Sequence, residues 1–296
     1  MRRVHFDLDV LRTFVTGVEL GSFAKAAERL SRSTSAVSAQ LKKLEEQAGM
    51  PVLRKSGRGM ALTEAGETML AYARRLLELN DEAAAALHGA DLEGWVRLGL
   101  PEDFGESLLT EVLGRFARSH PRVKVEVRIA RHAELLDRIG TGRLDLALAW
   151  DAGVSTPHEQ HLGSVPLRWI GGADAAHAWP RPDDEPLPLV MLEAPCIMRS
   201  AATTALDRAN IPWRIAFTSA SLAGTWAAVA AGLGVSLRTP YGLPTSVRAL
   251  LPHETALPAL GELGLRLHRA EAEATPAVER LATILTQQWQ QLPLAA

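Results

Sequence analysis

The order of structural breaks in the first sixty residues constrains this chain more than any other feature. Leu8, Leu11, Phe14, Val15 and Val18 recur at three- and four-residue steps and predict a helix with one apolar face. Gly21 ends it, and Ser22 stands as the N-cap of a short second helix whose inward face is Phe23, Ala26, Ala27 and Leu30. The paired alanines let another helix approach closely. After the polar break Ser31, Arg32, Ser33, a third helix is predicted through TSAVSAQLKKLEEQAG, with Val37, Leu41 and Leu44 inward and Gly49 as its stop. Two helices split by a three-residue polar break form the helix-turn-helix pattern, whose second helix enters a DNA major groove.

The outer side of that third helix is rich in short hydrogen-bonding groups. Thr34, Ser35, Ser38, Gln40 and Lys42, with Arg32 and Ser33 at the helix start, are candidates for base edges or phosphates. Serines and threonines before a helix also serve as caps alone, and either reading fits each residue. Next, MPVLRKSGRGMALT reads as a strand, a Gly-containing turn and a return strand ending at Leu62, which together make a wing. Arg54, Lys55 and Arg58 on it suit phosphates, although exposed cations can also serve solubility alone. Charge follows the same division: residues 1–60 hold 11 Lys and Arg against 6 Asp and Glu, in a chain whose net charge is −2. A basic head and an acidic body are therefore expected to face different partners.

The stretch LDVLRTFVTGVELGSFAKAAERLSRSTSAVSAQLKKLEEQAGMPVLRKSGRGMALTEAGE resembles the DNA-binding head of the LysR-type transcriptional regulators, nearly unbroken from about residue 7 to 75. GSFAKAAERL, AVSAQLKKLEE, GMPVLRKSGRGMALT and TEAGE are its most specific pieces. Ala39 stands where an arginine is common in the family, and Lys55 where the wing usually has arginine. A lysine holds a phosphate but cannot form the bidentate fork of arginine.

From Thr63 the chain runs to Gly89 without a proline, which predicts one long helix. Two heptad-like stripes fit its apolar residues: Leu70, Ala73, Leu77, Ala84, Leu87, or Met69, Ala73, Leu76, Ala83, Leu87. Such spacing suggests pairing with a second copy, and the resemblance implies the same. Leu70, Ala73, Leu77, Asn80 and Leu87 are the expected pairing residues, with Asn80 either setting the register or simply solvated.

Beyond Gly89 short apolar runs alternate with helical stretches. WVRLGL, SLLTEVLGRFARSH, VKVEVRI, AELLDRIGTG and LDLALAW read as strand, helix, strand, helix, strand, which is a parallel α/β unit. A second unit begins near VPLRWI, and GLRLHR with TPAVERLATILTQQWQQL closes the chain. The resemblance implies the rest of the fold. The expected chain is an α/β protein with a winged helix-turn-helix at 1–62, a linker helix at 63–89, and an effector-binding domain at 90–296. That domain would resemble periplasmic binding proteins, with subdomain I at about 90–165 and 265–296 and subdomain II at about 166–264.

Ligands of open parallel sheets lie off the carboxyl ends of the strands. The loops expected there contain Pro101, Glu102, Asp103 and Phe104; Trp150; Arg199 and Ser200, read as following a strand CIM; and Ser219 and Ser221. Hydroxyls and N–H groups at a helix start suit a carboxylate, and Arg199 can complete such a clamp. Asp103 opposes it unless paired, and each serine has a pure capping role as its alternative. Trp150 and Trp226 equally fit a core.

Several chemistries lack their signatures. Cys196 is the only cysteine, so no internal disulfide is expected, and a buried inert thiol is its plainest reading. His158, Glu159, Gln160 and His161 lack HExxH spacing and read as a solvated loop. No P-loop, GxSxG elbow or dinucleotide loop is found, so neither an enzyme nor a cofactor is expected. The N-terminus does not read as a signal peptide, and no uncharged apolar run reaches about 18 residues, so a soluble, cytoplasmic protein is expected. The body alone fits a solute-binding protein, which the basic head opposes. The expected partners are double-stranded DNA, a small-molecule effector, further copies in a dimer or tetramer and, by the resemblance, RNA polymerase at promoters.

Overall fold

The computed structural model describes residues 4–56, 59–88, 92–104, 107–174 and 185–291. The chain divides into two compact units, Met1–Ala90 and Asp91–Ala296.

In the first unit α1 (Leu8–Glu19), α2 (Phe23–Arg29) and α3 (Thr34–Ala48) are followed by β1 (Leu53–Ser56), β2 (Gly59–Leu62) and α4 (Glu64–His88). The caps lie where short polar side chains can satisfy free N–H groups. Ser22 accepts from Lys25 N, Ser33 accepts from Ala36 N, and Gly49 ends α3 with φ +73°. Between α2 and α3 the chain turns at Ser31, whose φ is +53°. Leu11, Phe14, Ala26, Ala27, Val37 and Leu44 are fully buried or nearly so, and they fill the centre of the unit. β1 and β2 pair antiparallel from Leu53 opposite Leu62 to Ser56 opposite Gly59.

α4 begins on Thr63, whose Oγ1 accepts from Gly66 N at 3.0 Å while donating to Pro51 O at 2.9 Å. The expectation that Leu70, Ala73 and Leu77 face a second copy is corrected here. Ala73 is fully buried and Leu77 is 6% exposed. Together with Leu70 they pack into the same cluster as Leu11, Phe14 and Leu44. Three helices and a two-stranded hairpin leave that cluster open on one side, and the first half of α4 closes it. Arg12 of α1 binds Asp81 at 2.7 Å and Arg74 binds Glu19 at 3.2 Å. Asn80 donates to Asp81 Oδ1 at 3.1 Å within its own helix. Leu87 is exposed, and so are Tyr72, Leu76 and Leu79.

The second unit holds two sheets. In the first, β3 (Gly94–Leu100), β4 (Val123–Ile129) and β5 (Leu146–Trp150) are parallel, linked by α5 (Ser107–Ser119) and α6 (His132–Gly140). The chain continues through β6 (Glu159–Pro166) and crosses to the second sheet at β7 (Arg168–Gly172). There it builds β8 (Leu187–Leu192), α7 (Ile197–Arg208), β9 (Trp213–Ser219), α8 (Leu222–Ala230), β10 (Ser236–Arg238) and β11 (Val247–Ala249). It returns as β12 (Glu262–Arg269) and ends the described structure in α9 (Pro276–Gln291).

The first sheet has the order β4-β3-β5-β12-β6, with β12 antiparallel to both its neighbours. In the second, β10-β7-β11 are antiparallel and β8-β9 parallel, joined by a bridge between Leu189 and Val235. α9 packs beside α5, so the last segment covers the sheet on which the unit began.

Two local expectations fail. Glu159, Gln160 and His161 begin β6 rather than lying in a loop, because Glu159 is held by Arg266 of β12 and accepts from Thr156 N at 3.1 Å. The segment CIM is not a strand: Cys196 is the N-cap of α7, and Ile197 and Met198 turn into the cleft and core.

Gly66 is the point at which α4 meets the wing. A Cβ there would lie 2.0 Å from the Val52 carbonyl oxygen, a backbone atom that cannot rotate away. Gly66→Ala should therefore lower head stability by roughly 1–3 kcal/mol, the usual cost of overpacking. Chemical denaturation followed by circular dichroism measures it; an unchanged midpoint would show that this approach is looser than the geometry requires.

Candidate functional site

The first candidate surface is the outer face of α3 with the wing. Thr34, Ser35, Ser38 and Lys42 are exposed on α3, and Arg32 is exposed just before it. Ser33 Oγ is used as the cap, lying 2.9 Å from Ser35 Oγ and accepting from Ala36 N at 3.1 Å. Ser38 Oγ donates back to Thr34 O at 2.9 Å. Gln40 is half-buried, because Thr13 Oγ1 donates to its Oε1 at 2.6 Å; the side-chain N–H groups of Gln40 keep their donor capacity.

Arg32 leans on Asp9 at 3.1 Å and Lys42 lies 3.9 Å from Glu46, both exposed pairs that a stronger anion can displace. On the wing, Arg54 donates to Leu62 O at 3.2 Å, and Lys55 is exposed. Arg58 lies outside the described residues. Lys43, which pattern alone did not single out, binds Asp7 at 2.6 Å; that ammonium holds the Asp7 carboxyl below its usual range.

The second candidate is a cavity of about 480 Å³ between the two sheets of the second unit. Pro101, Asp103 and Trp150 line it, as their positions after β3 and at the end of β5 predict. Asp103 is 4% exposed and answers its own electrostatic objection: Oδ1 accepts from Arg238 at 2.5 Å and Oδ2 from Trp150 Nε1 at 3.2 Å. Glu102 beside it accepts the Leu222 N–H at the start of α8, 2.9 Å away. Across the cavity Arg131 donates to the carbonyls of Glu193 and Pro195 at 3.0 and 3.4 Å. Three polar crossings therefore link the two sheets around one space.

The remaining expected ligand residues lie elsewhere. Phe104 is fully buried, its ring 5.1 Å from that of Trp150 and 5.8 Å from that of Trp289. A side chain on the inner turn of a short 3-10 helix points into the core, not into the opening. Arg199 and Ser200 are inside the first turn of α7 and off the cavity wall, with Arg199 donating to Leu192 O at 3.4 Å. Ser221 caps α8, and Ser219 Oγ accepts from Ser221 N, so both serines hold the turn together while Ala220 between them lines the cavity.

Sequence reading missed Arg131 and His132, which follow β4 at its carboxyl end where the strand-end rule also applies, and Arg238, the last residue of the short strand β10. Burial holds the His132 pKa below its usual value. Cys196 is half-buried at the cavity wall and not sequestered in the core. Among the described residues no group of three or more His, Cys, Asp or Glu is placed to hold a metal ion.

Both members of the Asp103–Arg238 pair are nine-tenths buried. Asp103→Ala should cost about 3–5 kcal/mol by stranding a buried guanidinium, whereas Asp103→Leu combined with Arg238→Met should cost far less. Thermal unfolding of the three proteins tests this, and equal losses in the single and double variants would contradict it.

Comparison with known proteins agrees with this architecture. Residues 8–67 match the family described as bacterial regulatory helix-turn-helix protein, lysR family, and residues 89–290 match the LysR substrate binding domain. The chain is 35% identical over 257 residues to the HTH-type transcriptional regulator PecT of Dickeya dadantii, covering 87% of this chain and 79% of that one. To DgdR of Burkholderia cepacia it is 34% identical over 267 residues, covering 88% and 87%. Among solved structures, CrgA, a LysR-type regulator from Neisseria meningitidis, shares the fold with a TM-score of 0.57 at 22% identity, covering 96% of this chain and 99% of that one. A helix-turn-helix head with a wing, followed by a two-sheet unit around an open cavity, together with both family matches, places this chain in the LysR family of DNA-binding transcriptional regulators with a substrate-binding effector domain.

Proposed function

We propose that α3 lies in the major groove, with Thr34, Ser35, Ser38 and Gln40 toward the bases and Arg32, Lys42, Arg54 and Lys55 toward phosphates. The single supporting observation is the exposed polar face of α3 on a helix-turn-helix whose wing carries cations. Short hydroxyls suit base edges, while the cations contribute affinity by releasing counterions. Such a chain works on chromosomal DNA in the cytoplasm, with RNA polymerase as a further partner at the promoters it controls.

The cavity between the two sheets is the proposed effector site. Its walls come from both sheets, so a bound molecule favours one arrangement of the lobes over another, which is what coupling to the head requires.

α4 is the proposed pairing element, through a face that shares Leu76, Ala83 and Leu87 with the second heptad stripe and leaves out Leu70, Ala73 and Leu77. Tyr72, Leu76, Leu79 and Ala83 are exposed at alternating four- and three-residue steps, followed by Leu87. Tyr72 and Leu76 also border an apolar groove of about 490 Å³ shared with Phe6, Met50 and Val52. A second copy of α4 covers this stripe in the proposed dimer, the unit from which a tetramer can be built.

Two measurements test these assignments. Lys55→Ala should weaken binding to specific and unrelated DNA alike and reduce the slope of log affinity against log salt by about 0.9, the value for one phosphate contact. An unaltered slope in fluorescence anisotropy would remove Lys55 from the interface. Leu76→Asp with Leu79→Asp should leave a folded monomer in analytical ultracentrifugation; a retained dimer would place the pairing surface elsewhere.

A further inference from the structure

Seven residues of α3 are exposed, and six of them are polar: Thr34, Ser35, Ser38, Lys42, Lys43 and Glu46. The seventh is Ala39. It stands two residues after Val37 and two before Leu41, which face the core, and at about 100° per residue both steps carry it to the opposite side of the helix. Ser35 lies one turn before it and Lys42 about one turn after, so the outward stripe Ser35, Ala39, Lys42 and Glu46 has Ala39 near its middle.

The polar groups around this point are drawn away from it. Ser38 Oγ donates back to Thr34 O at 2.9 Å, and Ser35 Oγ lies 2.9 Å from Ser33 Oγ, so both hydroxyls are held toward the start of the helix. Lys42 leans the other way, 3.9 Å from Glu46. The centre of the outer face is therefore a bare methyl group, and the short side chains beside it let the helix axis come close to whatever it faces.

A methyl group at this place suits one base. The major-groove edges of guanine, cytosine and adenine carry hydrogen-bonding groups, and thymine alone adds an apolar one, its C5-methyl. Against the other three bases Ala39 would strip water from donors or acceptors and return no bond, which is disfavoured. Against thymine it removes two apolar groups from water together.

We propose that Ala39 is a specificity-determining residue that packs on the C5-methyl of a thymine, so that each half-site carries a T·A pair under the middle of α3. The proposal rests on the reading of α3 as the groove helix. Ala39 supplies neither charge nor hydrogen bond, and it selects the base by contact and by the water it excludes.

The test begins with selection from a random duplex library by the full chain, which gives the half-site. Fluorescence anisotropy at one salt concentration then measures duplexes in which each thymine in turn is replaced by uracil, a change that removes the methyl and keeps every hydrogen-bonding group. At one thymine of the half-site this should weaken binding about fourfold, the equivalent of one carbon group no longer buried. Ala39→Gly should bind thymine and uracil equally at that position. Ala39→Arg should select guanine there instead, because the arginine fork fits guanine O6 and N7.

Uracil tolerated at every thymine, a half-site without thymine, methyl dependence kept in Ala39→Gly, or thymine still selected by Ala39→Arg would each overturn the role of Ala39. In those cases a selected sequence that changes with Ser35→Ala or Ser38→Ala leaves α3 in the groove. A sequence that none of the four substitutions changes removes α3 from the groove and the Ala39 contact with it. Arginine is a good helix former, so the Arg variant and the wild-type uracil series decide the matter even if glycine unsettles α3.

Discussion

The arrangement of the effector domain depends on a buried ion pair. Asp103 follows the first strand of one sheet and Arg238 ends a strand of the other, and each is almost wholly withdrawn from water. Such a pair contributes little net stability over apolar residues of the same shape, but neither member tolerates the loss of the other. Its main effect is geometric. The two sheets are held at one separation, and the cavity of about 480 Å³ is the space that this separation leaves. Glu102 and Arg131 add weaker crossings on either side, and hydrogen bonds at helix starts and strand ends, unlike apolar packing, can exchange partners without unfolding either lobe.

The head meets a different constraint. Three short helices and a two-stranded wing bury too little apolar surface to close a core, and the first half of α4 supplies the missing side through Leu70, Ala73 and Leu77. The same helix then leaves a second, exposed stripe at Tyr72, Leu76 and Leu79. One helix therefore closes the head on one face and leaves an apolar stripe exposed on another, and Arg12 and Asp81 tie it to α1.

Much of the head was legible without coordinates. Caps at Ser22 and Ser33, the stop at Gly49 and the small pair Ala26 and Ala27 act through neighbours a few residues away, so their roles are written locally. The parallel unit β3-α5-β4-α6-β5 was readable for the same reason, since its strands and helices change hydrophobic period at visible breaks. The heptads of α4 left two stripes open because both satisfy the same spacing, and nothing local tells which face a distant α1 will cover. Cys196 to Met198 read as a strand because three apolar residues in a row carry no period. Likewise, Glu159 became part of a strand only because Arg266, more than a hundred residues later, pairs with it.

The sequence by itself determined the kind of molecule: a capped helix-turn-helix with a basic wing, one long helix, and an α/β body whose strand ends mark where a ligand can lie. Those features rest on short-range sterics and hydrogen bonding, which a local string of residues states in full. Tertiary structure alone decided which of the marked residues face the cavity and which pair with one another across it. Phe104 went to the core, Ser219 and Ser221 to a turn, and Arg131, His132 and Arg238 came to the cavity from distant segments. The pairs Glu102 with Leu222 and Asp103 with Arg238 join segments more than a hundred residues apart, so no local string of residues states them and they exist only once the two sheets have met.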